Sequence, residues 1–236
     1  GICFDSSKCK KNDIFFVIKG TKKDGSKFIN HAIQKGAKII VSSQSFEGLK
    51  KDILYIKSSN VRKSLSEVCY KICKNKPKNI TAITGTNGKS SIANFYFQIL
   101  DFNKKKVASI GTLGIKTNSY KKKITNTTMD PVLLSKTLNK IKNEKIDNVI
   151  IEASSHGLKQ NRLDGLKFET GIFTNLSHDH LDYHKTFNDY LKSKLYLFEK
   201  LLKKNANIIT DNKIPQYKKI KSIAKKKKFK IQTILN

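Results

Sequence analysis

A glycine-containing turn with an adjoining lysine and two serines is the first feature that could do chemistry. Its sequence is Thr84-Gly85-Thr86-Asn87-Gly88-Lys89-Ser90-Ser91, after an apolar segment and before one with helical spacing. Backbone N–H groups of such a turn can surround phosphates, and the helix N-terminus adds positive potential. Lys89 would reach the β- and γ-phosphates, and the Ser90 hydroxyl would bind Mg²⁺. The generic loop has glycine in place of Ile83, so the turn predicts triphosphate binding without defining the reaction.

A carboxylate and several imidazoles follow two later apolar segments. Glu152 ends one segment, and three histidines and two aspartates lie within residues 178–184 after the next. Ligands bind at the carboxyl edge of parallel sheets, so we expect Glu152 to hold Mg²⁺ opposite the glycine turn. Zinc is the alternative for the histidines, but a hard cation bound with a nucleotide already accounts for the carboxylates.

The elements that must position these groups alternate between strands and helices. The apolar spacing predicts strands over 14–18, 37–41, 53–56, 80–84, 107–110, 149–153, 171–174 and 207–210. It predicts helices over 28–35, 61–73, 90–100, 131–144, 187–202 and 214–228. This alternation indicates an α/β fold with a mostly parallel sheet. The polar stretch 74–79, with Pro77, predicts a boundary between domains 1–76 and 77–236.

Composition limits the class of protein. The net charge of +30 would suit a nucleic-acid binder, but only Arg62 and Arg162 of the 48 basic residues are arginine. Solvated lysines are the favoured interpretation, because phosphate and base recognition usually employs arginine forks. No apolar run approaches the ~18 residues that would predict a membrane span. The four cysteines form no CxxC pair, so zinc is not expected at them and a reducing cytoplasm fits. The start at Gly1, with Met129 the one methionine, suggests a truncated N-terminus.

Together these motifs resemble the Mur ligase family. The resemblance rests on the modified phosphate loop, on Glu152-Ala-Ser-Ser-His-Gly-Leu158, on the run from Phe173 to His184, on Asn126-Thr127-Thr128 and on Asp5-Ser6 with the turn at 20–25. It extends to about Asn212 and is strongest to members that add the third residue of the peptide.

The resemblance implies an architecture and a reaction. A small N-terminal α/β domain would bind the uridine diphosphate, and a central P-loop-type domain would bind ATP. A C-terminal domain found in relatives would be absent. The enzyme would use ATP and Mg²⁺ to join meso-diaminopimelate, or L-lysine, to UDP-N-acetylmuramoyl-L-alanyl-D-glutamate through an acyl phosphate. It would act as a cytoplasmic monomer, with no nucleic-acid or membrane partner.

The resemblance also implies roles for individual residues. ATP would be bound by Gly85, Thr86, Asn87, Gly88, Lys89, Ser90 and Ser91. The UDP-muramyl dipeptide would be bound by Phe4, Ser6, Thr21, Lys22, Lys23, Asn126, Thr127, Thr128, Ser154, Gln160 and Arg162. Catalytic roles would fall to Lys89, Glu152, His180 and Lys194. Mg²⁺ would be bound by Ser90, Glu152, His180 and Lys194, the last as a carbamate.

Two other functions remain open at this point. A folylpolyglutamate synthase has a similar ATP loop, but the motifs at Asp5-Ser6 and at 20–25 argue against it. A basic nucleic-acid-binding protein is suggested by charge alone, and it would show salt-dependent DNA binding without affinity for ATP.

Overall fold

The computed structural model describes residues 1–20, 24–44 and 46–234, with Leu181 described by its backbone only. The chain divides into two compact units, Gly1–Ile72 and Cys73–Asn236. The division falls at the end of a helix and shortly before Pro77.

The first unit is built on a five-stranded sheet in the order β1-β2-β3-β5-β4. Its strands are β1 (Ile2–Cys3), β2 (Ile14–Phe16), β3 (Ile39–Ser42), β4 (Gly48–Lys50) and β5 (Ile53–Lys57). Its helices are α1 (Ile29–Gln34) and α2 (Val61–Ile72). Neighbouring strands are parallel except β4 and β5. Helix α2 forms because Val61, Leu65 and Cys69 recur every four residues and are buried along one face.

The second unit is built on an eight-stranded sheet in the order β13-β12-β11-β6-β10-β7-β8-β9. Its strands are β6 (Asn79–Thr84), β7 (Val107–Gly111), β8 (Gly114–Thr117), β9 (Lys121–Lys122), β10 (Asn148–Glu152), β11 (Phe168–Phe173), β12 (Leu202–Thr210) and β13 (Lys230–Thr233). Its helices are α3 (Lys89–Phe102), α4 (Pro131–Asn143), α5 (Ser155–Lys159), α6 (Leu181–His184), α7 (Phe187–Tyr196) and α8 (Tyr217–Lys227). The sheet is parallel from β13 to β7, and β8 and β9 are antiparallel.

The central strands of the second unit bring their carboxyl ends to one edge. Glu152 at the end of β10 pairs with Ile83 of β6, and Phe173 at the end of β11 pairs with Thr84. Apart from their first residues, β6 and β10 are buried throughout, as expected for parallel strands covered on both faces. The loops that follow β6, β10 and β11 therefore start side by side.

The predicted α/β fold with a mostly parallel sheet is confirmed, and several details of the prediction were wrong. The helix expected over 187–202 ends at Tyr196, and a π-helical turn, Leu197–Leu201, leads directly into β12. Residues 202–206 join β12, because Leu202 pairs with Phe168 of β11 and sheet pairing outweighs helical propensity. The helix expected from 214 begins at Tyr217, after Pro215, and strands β1, β4, β8, β9 and β13 were not predicted.

Within the described ranges, every helix is too short or too polar to cross a bilayer.

Candidate functional site

The turn between β6 and α3 is fixed by a glycine and by the loop after β11. Gly85 has φ +149°, and a Cβ there would lie 1.9 Å from Thr174 Oγ1. The Thr86 N–H donates to Asn175 O at 3.0 Å, and the Asn87 N–H donates to Asn175 Oδ1 at 2.9 Å. The turn therefore has its shape before any ligand binds.

Lys89 at the start of α3 folds back over this turn. Its Nζ donates to Gly85 O at 2.8 Å and to Thr86 O at 2.7 Å. Burial lowers the pKa of Lys89, although the charges of Glu152 and Asp179 oppose that effect. The Lys89 ammonium thus donates to two backbone oxygens. An anionic ligand could take the place of these acceptors.

Lys194 on α7 reaches the same backbone oxygen from a different helix. It is 1% exposed, and its Nζ donates to Gly85 O at 2.7 Å and lies 4.4 Å from the centre of the Tyr190 ring. Burial, and then the nearby charge of Lys89, lower the pKa of Lys194 to about 7, while Asp179 opposes the shift. A large fraction of the side chain is therefore a neutral amine at neutral pH.

The carboxylate of Glu152 is held by groups from two neighbouring loops. Ser90 Oγ donates to Oε2 at 3.0 Å, the Thr112 N–H donates to Oε1 at 3.0 Å, and Thr112 Oγ1 donates to Oε2 at 3.1 Å. A Cβ at Gly111 would lie 2.1 Å from Oε1, so glycine there leaves room for the carboxylate. The hydroxyls of two loops and a buried carboxylate thus meet at the carboxyl edge of the sheet.

Predicted substrate-binding residues form a connected group beside Glu152. Thr128 Oγ1 donates to the last carbonyl of β10 at 2.8 Å and lies 3.0 Å from Ser154 Oγ. Arg162 Nη1 donates to Thr128 O at 2.5 Å, and Arg162 Nη2 donates to Gln160 Oε1 at 2.8 Å. Gln160 Nε2 donates in turn to the Tyr183 hydroxyl at 3.1 Å. The structure brings four predicted residues into one hydrogen-bond network.

Three histidines pack together with aromatic rings at the side of the site. His156 stacks on Tyr183 with ring centres 4.0 Å apart, and the His180 ring meets it edge-on at 4.9 Å. Burial and the neighbouring His180 lower the pKa of His156. His184 is fully buried behind them, and burial lowers its pKa to about 4. The two inner histidines are therefore neutral at pH 7, and the half-exposed His180 faces the site.

These elements enclose a polar cleft of about 370 Å³. It is lined by Thr86, Asn87, Gly88, Lys89, Ser90, Ser91, Thr112, Thr127, Ser154, Ser155, His180 and Lys194. Hydroxyls and amines dominate this lining, which suits an anionic, oxygen-rich ligand such as a triphosphate.

A magnesium ion fits the donors around Glu152. The carboxylate and the hydroxyls of Ser90 and Thr112 supply the hard oxygens that Mg²⁺ prefers, and His180 lies on the cleft wall. The amine of Lys194 fits only when it is uncharged or carries an anionic group, because an ammonium would repel the ion.

Comparison with protein families assigns the fold. Residues 83–235 match the model of the Mur ligase middle domain, and residues 1–77 match that of the Mur ligase family, catalytic domain. The chain belongs to the Mur ligase family. This Mur ligase chain is 42% identical over 212 residues to a UDP-N-acetylmuramoyl-L-alanyl-D-glutamate--2,6-diaminopimelate ligase of Clostridium tetani, covering 88% of the chain and 44% of the relative. It is 35% identical over 238 residues to the same-named protein of Rickettsia montanensis, covering 99% of the chain and 49% of the relative.

Solved structures agree with the sequence comparison. A UDP-N-acetylmuramoyl-L-alanyl-D-glutamate--2,6-diaminopimelate ligase superposes with a TM-score of 0.85 at 27% identity, over 99% of this chain and 47% of that one. Escherichia coli FolC with ADP superposes with a TM-score of 0.56 at 17% identity, over 73% of this chain and 46% of that one, which shows a shared fold alone. The Mur ligase chain spans about half the length of the curated relatives that it matches.

Other predicted residues of the Mur ligase chain lie away from the cleft or outside the description. Asn126 lines a separate cavity of about 170 Å³ beside Met129. Phe4 and Ser6 belong to the first unit, where Phe4 is exposed and Ser6 Oγ lies 3.0 Å from His31 Nδ1. Thr21, Lys22 and Lys23 lie outside the described residues.

Several residues at the site were missed by sequence reasoning. Thr112 Oγ1 donates to Glu152 Oε2 and lies 3.0 Å from Thr127 Oγ1, but Thr112 belongs to none of the motifs found in the sequence. Ser155 lines the cleft, and its buried Oγ has no hydrogen-bond partner among the described residues. The Tyr190 hydroxyl lies 3.1 Å from Thr86 Oγ1. Ser155 could have been found from the sequence, because it lies within the motif Glu152-Ala-Ser-Ser-His-Gly-Leu158.

Proposed function

We propose that this chain supplies the nucleotide and UDP-sugar sites of an ATP-dependent ligase of peptidoglycan synthesis. The reaction joins 2,6-diaminopimelate to UDP-N-acetylmuramoyl-L-alanyl-D-glutamate. The observation that carries this proposal is the meeting of Lys89, Lys194 and the Ser90–Glu152 pair at one cleft. Relatives with 35–42% identity are named as ligases for 2,6-diaminopimelate, which supports these substrates and favours diaminopimelate over L-lysine.

The residues of the cleft have different roles in phosphoryl transfer. The Gly85–Ser91 turn binds the phosphates, and Lys89 leaves its backbone acceptors to neutralise the γ-phosphate. Mg²⁺ held by Ser90, Glu152 and His180 would offset the charge of the transferring group. A substrate carboxylate then attacks the γ-phosphate to give an acyl phosphate and ADP, and the amine of the diamino acid displaces phosphate to form the amide.

Lys194 acts as a carbamate in this proposal. Its neutral amine bonds to the carbon of CO₂ and loses one proton, which turns a buried neutral group into an anion. The pKa of about 7 makes the neutral amine available at physiological pH. The new carboxylate would carry a negative charge near Lys89, so carbamylation adds an attraction between the two side chains.

We assign residues of each unit to a part of the substrate. Phe4, Ser6 and the 21–23 segment contact the uridine diphosphate, and Asn126, Thr127, Thr128, Ser154, Gln160 and Arg162 contact the muramyl dipeptide. Arg162 donates to Gln160 and Thr128, so the fork is already oriented for an anionic group. We place the reaction in the cytoplasm, where ATP is available.

Calorimetric titration with UDP-N-acetylmuramoyl-L-alanyl-D-glutamate tests the proposal directly. We expect saturable binding by the wild-type chain, weakened about tenfold or more by Arg162→Lys, because a bidentate fork is lost. Lys218→Ala, at an exposed position on α8, is the matched control and should bind like the wild type. Binding of a folate but not of the UDP-sugar, or retention of DNA without nucleotide affinity, would refute the assignment.

A further inference from the structure

A pair of thiols lies in the core of the first unit, apart from the cleft. Cys3 ends β1, and Cys9 follows the single helical turn Ser6–Lys8. The turn returns the chain onto β1, so that the Cys3 thiol donates to Cys9 Sγ at 2.9 Å. Both side chains are buried and neither forms a disulfide.

A carboxylate joins this pair from the neighbouring strand. Cys3 pairs with Phe15 across β1 and β2, and Asp13 lies two residues earlier on the same face as Phe15. The ligand atoms of Cys3, Cys9 and Asp13 lie within 4.8 Å of one another, and all three residues are buried. Within the described ranges, no other three His, Cys, Asp or Glu side chains meet this closely.

Asp13 brings a negative charge to this cluster. Asp13 Oδ1 lies 2.9 Å from the amino group of Gly1, and Asp13 Oδ2 accepts the Lys10 N–H at 2.9 Å. Burial opposes ionisation of Asp13, but these two contacts outweigh it and lower the pKa of the carboxyl group. Burial, and then Cys9 and Asp13, raise the pKa of Cys3, so an isolated thiolate is disfavoured until positive charge arrives.

We propose that Cys3, Cys9 and Asp13 bind a thiophilic divalent cation of the Zn²⁺ class. Two thiols release two protons, and the ion bonds to the two sulfurs and to one carboxylate oxygen. Three protein ligands leave one position of a tetrahedral site for a small ligand such as water. This site differs in its chemistry from the Mg²⁺ site of the cleft. Its donors include two thiolates, whereas the Mg²⁺ donors of the cleft are all hydroxyl, carboxylate or imidazole groups. The sequence has no CxxC pair, and the proposal instead uses donors that a turn and a strand pairing bring together.

The bound ion would brace the segment between the two thiols. Residues 4–8 are held by local bonds from Asp5 to Ser7 and by the contact of Ser6 with His31. A ligand that binds only the folded state raises its stability, so the ion should raise the melting temperature of the first unit.

Titration of the reduced, metal-free chain with Cd²⁺ tests the site, because cadmium thiolates give an ultraviolet charge-transfer band. We expect the band to saturate at one equivalent and Zn²⁺ to displace Cd²⁺. Cys3→Ser, Cys9→Ser and Asp13→Asn should each weaken binding by more than about tenfold. Cys69→Ser removes another buried thiol of the same unit and should leave the titration unchanged.

X-ray absorption of the zinc-loaded wild-type chain tests the site without any variant, so poor folding of a variant cannot affect the result. Two sulfurs at about 2.3 Å, with lighter ligands at shorter distance, are expected. An equal band in Cys3→Ser and wild type would overturn the proposal. So would fewer than two sulfur ligands, or purification of the pair as a disulfide that takes up no metal.

Discussion

Lys89 and Lys194 donate hydrogen bonds to the same backbone oxygen, that of Gly85, at 2.8 and 2.7 Å. Two amines from different helices thus donate to a single carbonyl of the turn between β6 and α3. The positive charge of Lys89 is one cause of the lowered pKa of Lys194, second to burial. The site is therefore prepared for negative charge, which a phosphate would bring to Lys89 and a carbamate to Lys194.

The lowered pKa of Lys194 predicts a pH dependence of stability. The folded-state pKa is about 7 and the ordinary pKa of lysine is 10.5, so between these values the unfolded chain binds more protons. The free energy of unfolding should therefore rise with pH across this window, by at most ~1.4 kcal/mol per pH unit from this group. Below pH 7 both states are protonated and the contribution stops changing.

Urea unfolding of wild type and Lys194→Met between pH 7 and 9.5, in carbonate-free buffer, measures this contribution. Lys194→Met should lose part of the rise of the unfolding free energy with pH, and Lys218→Met, at an exposed position, should keep it. Parallel curves for wild type and Lys194→Met would show that Lys194 titrates normally.

Carbamylation of Lys194 predicts a direct spectroscopic signal. Wild-type chain equilibrated with ¹³C-labelled bicarbonate at pH 8 should show one protected carbamate resonance in NMR, strengthened by Mg²⁺. Lys194→Ala should lack it and Lys218→Ala should retain it. In the whole ligase, short carboxylic acids should restore part of the activity of Lys194→Ala. A signal that survives in Lys194→Ala would assign the carbamate elsewhere.

Thr112→Val should weaken Mg²⁺-dependent nucleotide binding by about tenfold. The substitution removes the hydroxyl that bonds Glu152 Oε2 and keeps the shape of the side chain. Loss of such a supporting bond commonly costs about 10–100-fold in metal affinity. Fluorescent-nucleotide titrations with and without Mg²⁺ measure the effect, and the exposed Thr125→Val is the control. Equal Mg²⁺ enhancement in both variants would exclude the role of Thr112.

Gly85→Ala should destabilise the second unit by about 2 kcal/mol or more. The new Cβ would meet Thr174 Oγ1 at 1.9 Å, at a φ of +149° that is unfavourable for alanine. Gly48→Ala is a matched control at φ +132°, where the nearest neighbour lies 3.9 Å away. Thr174→Ala should recover part of the loss in the double variant, measured by urea unfolding. Equal stability of Gly85→Ala and Gly48→Ala would contradict the packing argument.

The turn between β6 and α3 could be predicted because strand, turn and helix are contiguous in the chain. Ile80 to Thr84 is apolar and β-branched, the glycines follow, and α3 begins at Lys89 as the pattern requires. Glu152 could be predicted for a similar reason, since β10 is a continuous apolar run and the carboxylate ends it. Local periodicity carries this information without knowledge of the tertiary structure.

Contacts that depend on pairing between distant segments could not be predicted. Thr112 reaches Glu152 because β7 and β10 are neighbours, although the two residues are 40 positions apart. The early start of β12 at Leu202 depends on its pairing with β11. The meeting of Cys3 with Asp13 likewise depends on the register of β1 and β2. Sequence periodicity does not encode which strands pair or in what register.

Ligation by the whole protein tests the central claim most directly, with Lys89→Ala compared against Lys218→Ala. The assay contains ATP, Mg²⁺, UDP-N-acetylmuramoyl-L-alanyl-D-glutamate and diaminopimelate, and it measures the amide product. Loss of the Lys89 charge at the γ-phosphate should lower kcat by about 10²–10³-fold, while Lys218→Ala keeps the wild-type rate. Near-normal product formation by Lys89→Ala would contradict the assignment of this cleft as the site of phosphoryl transfer.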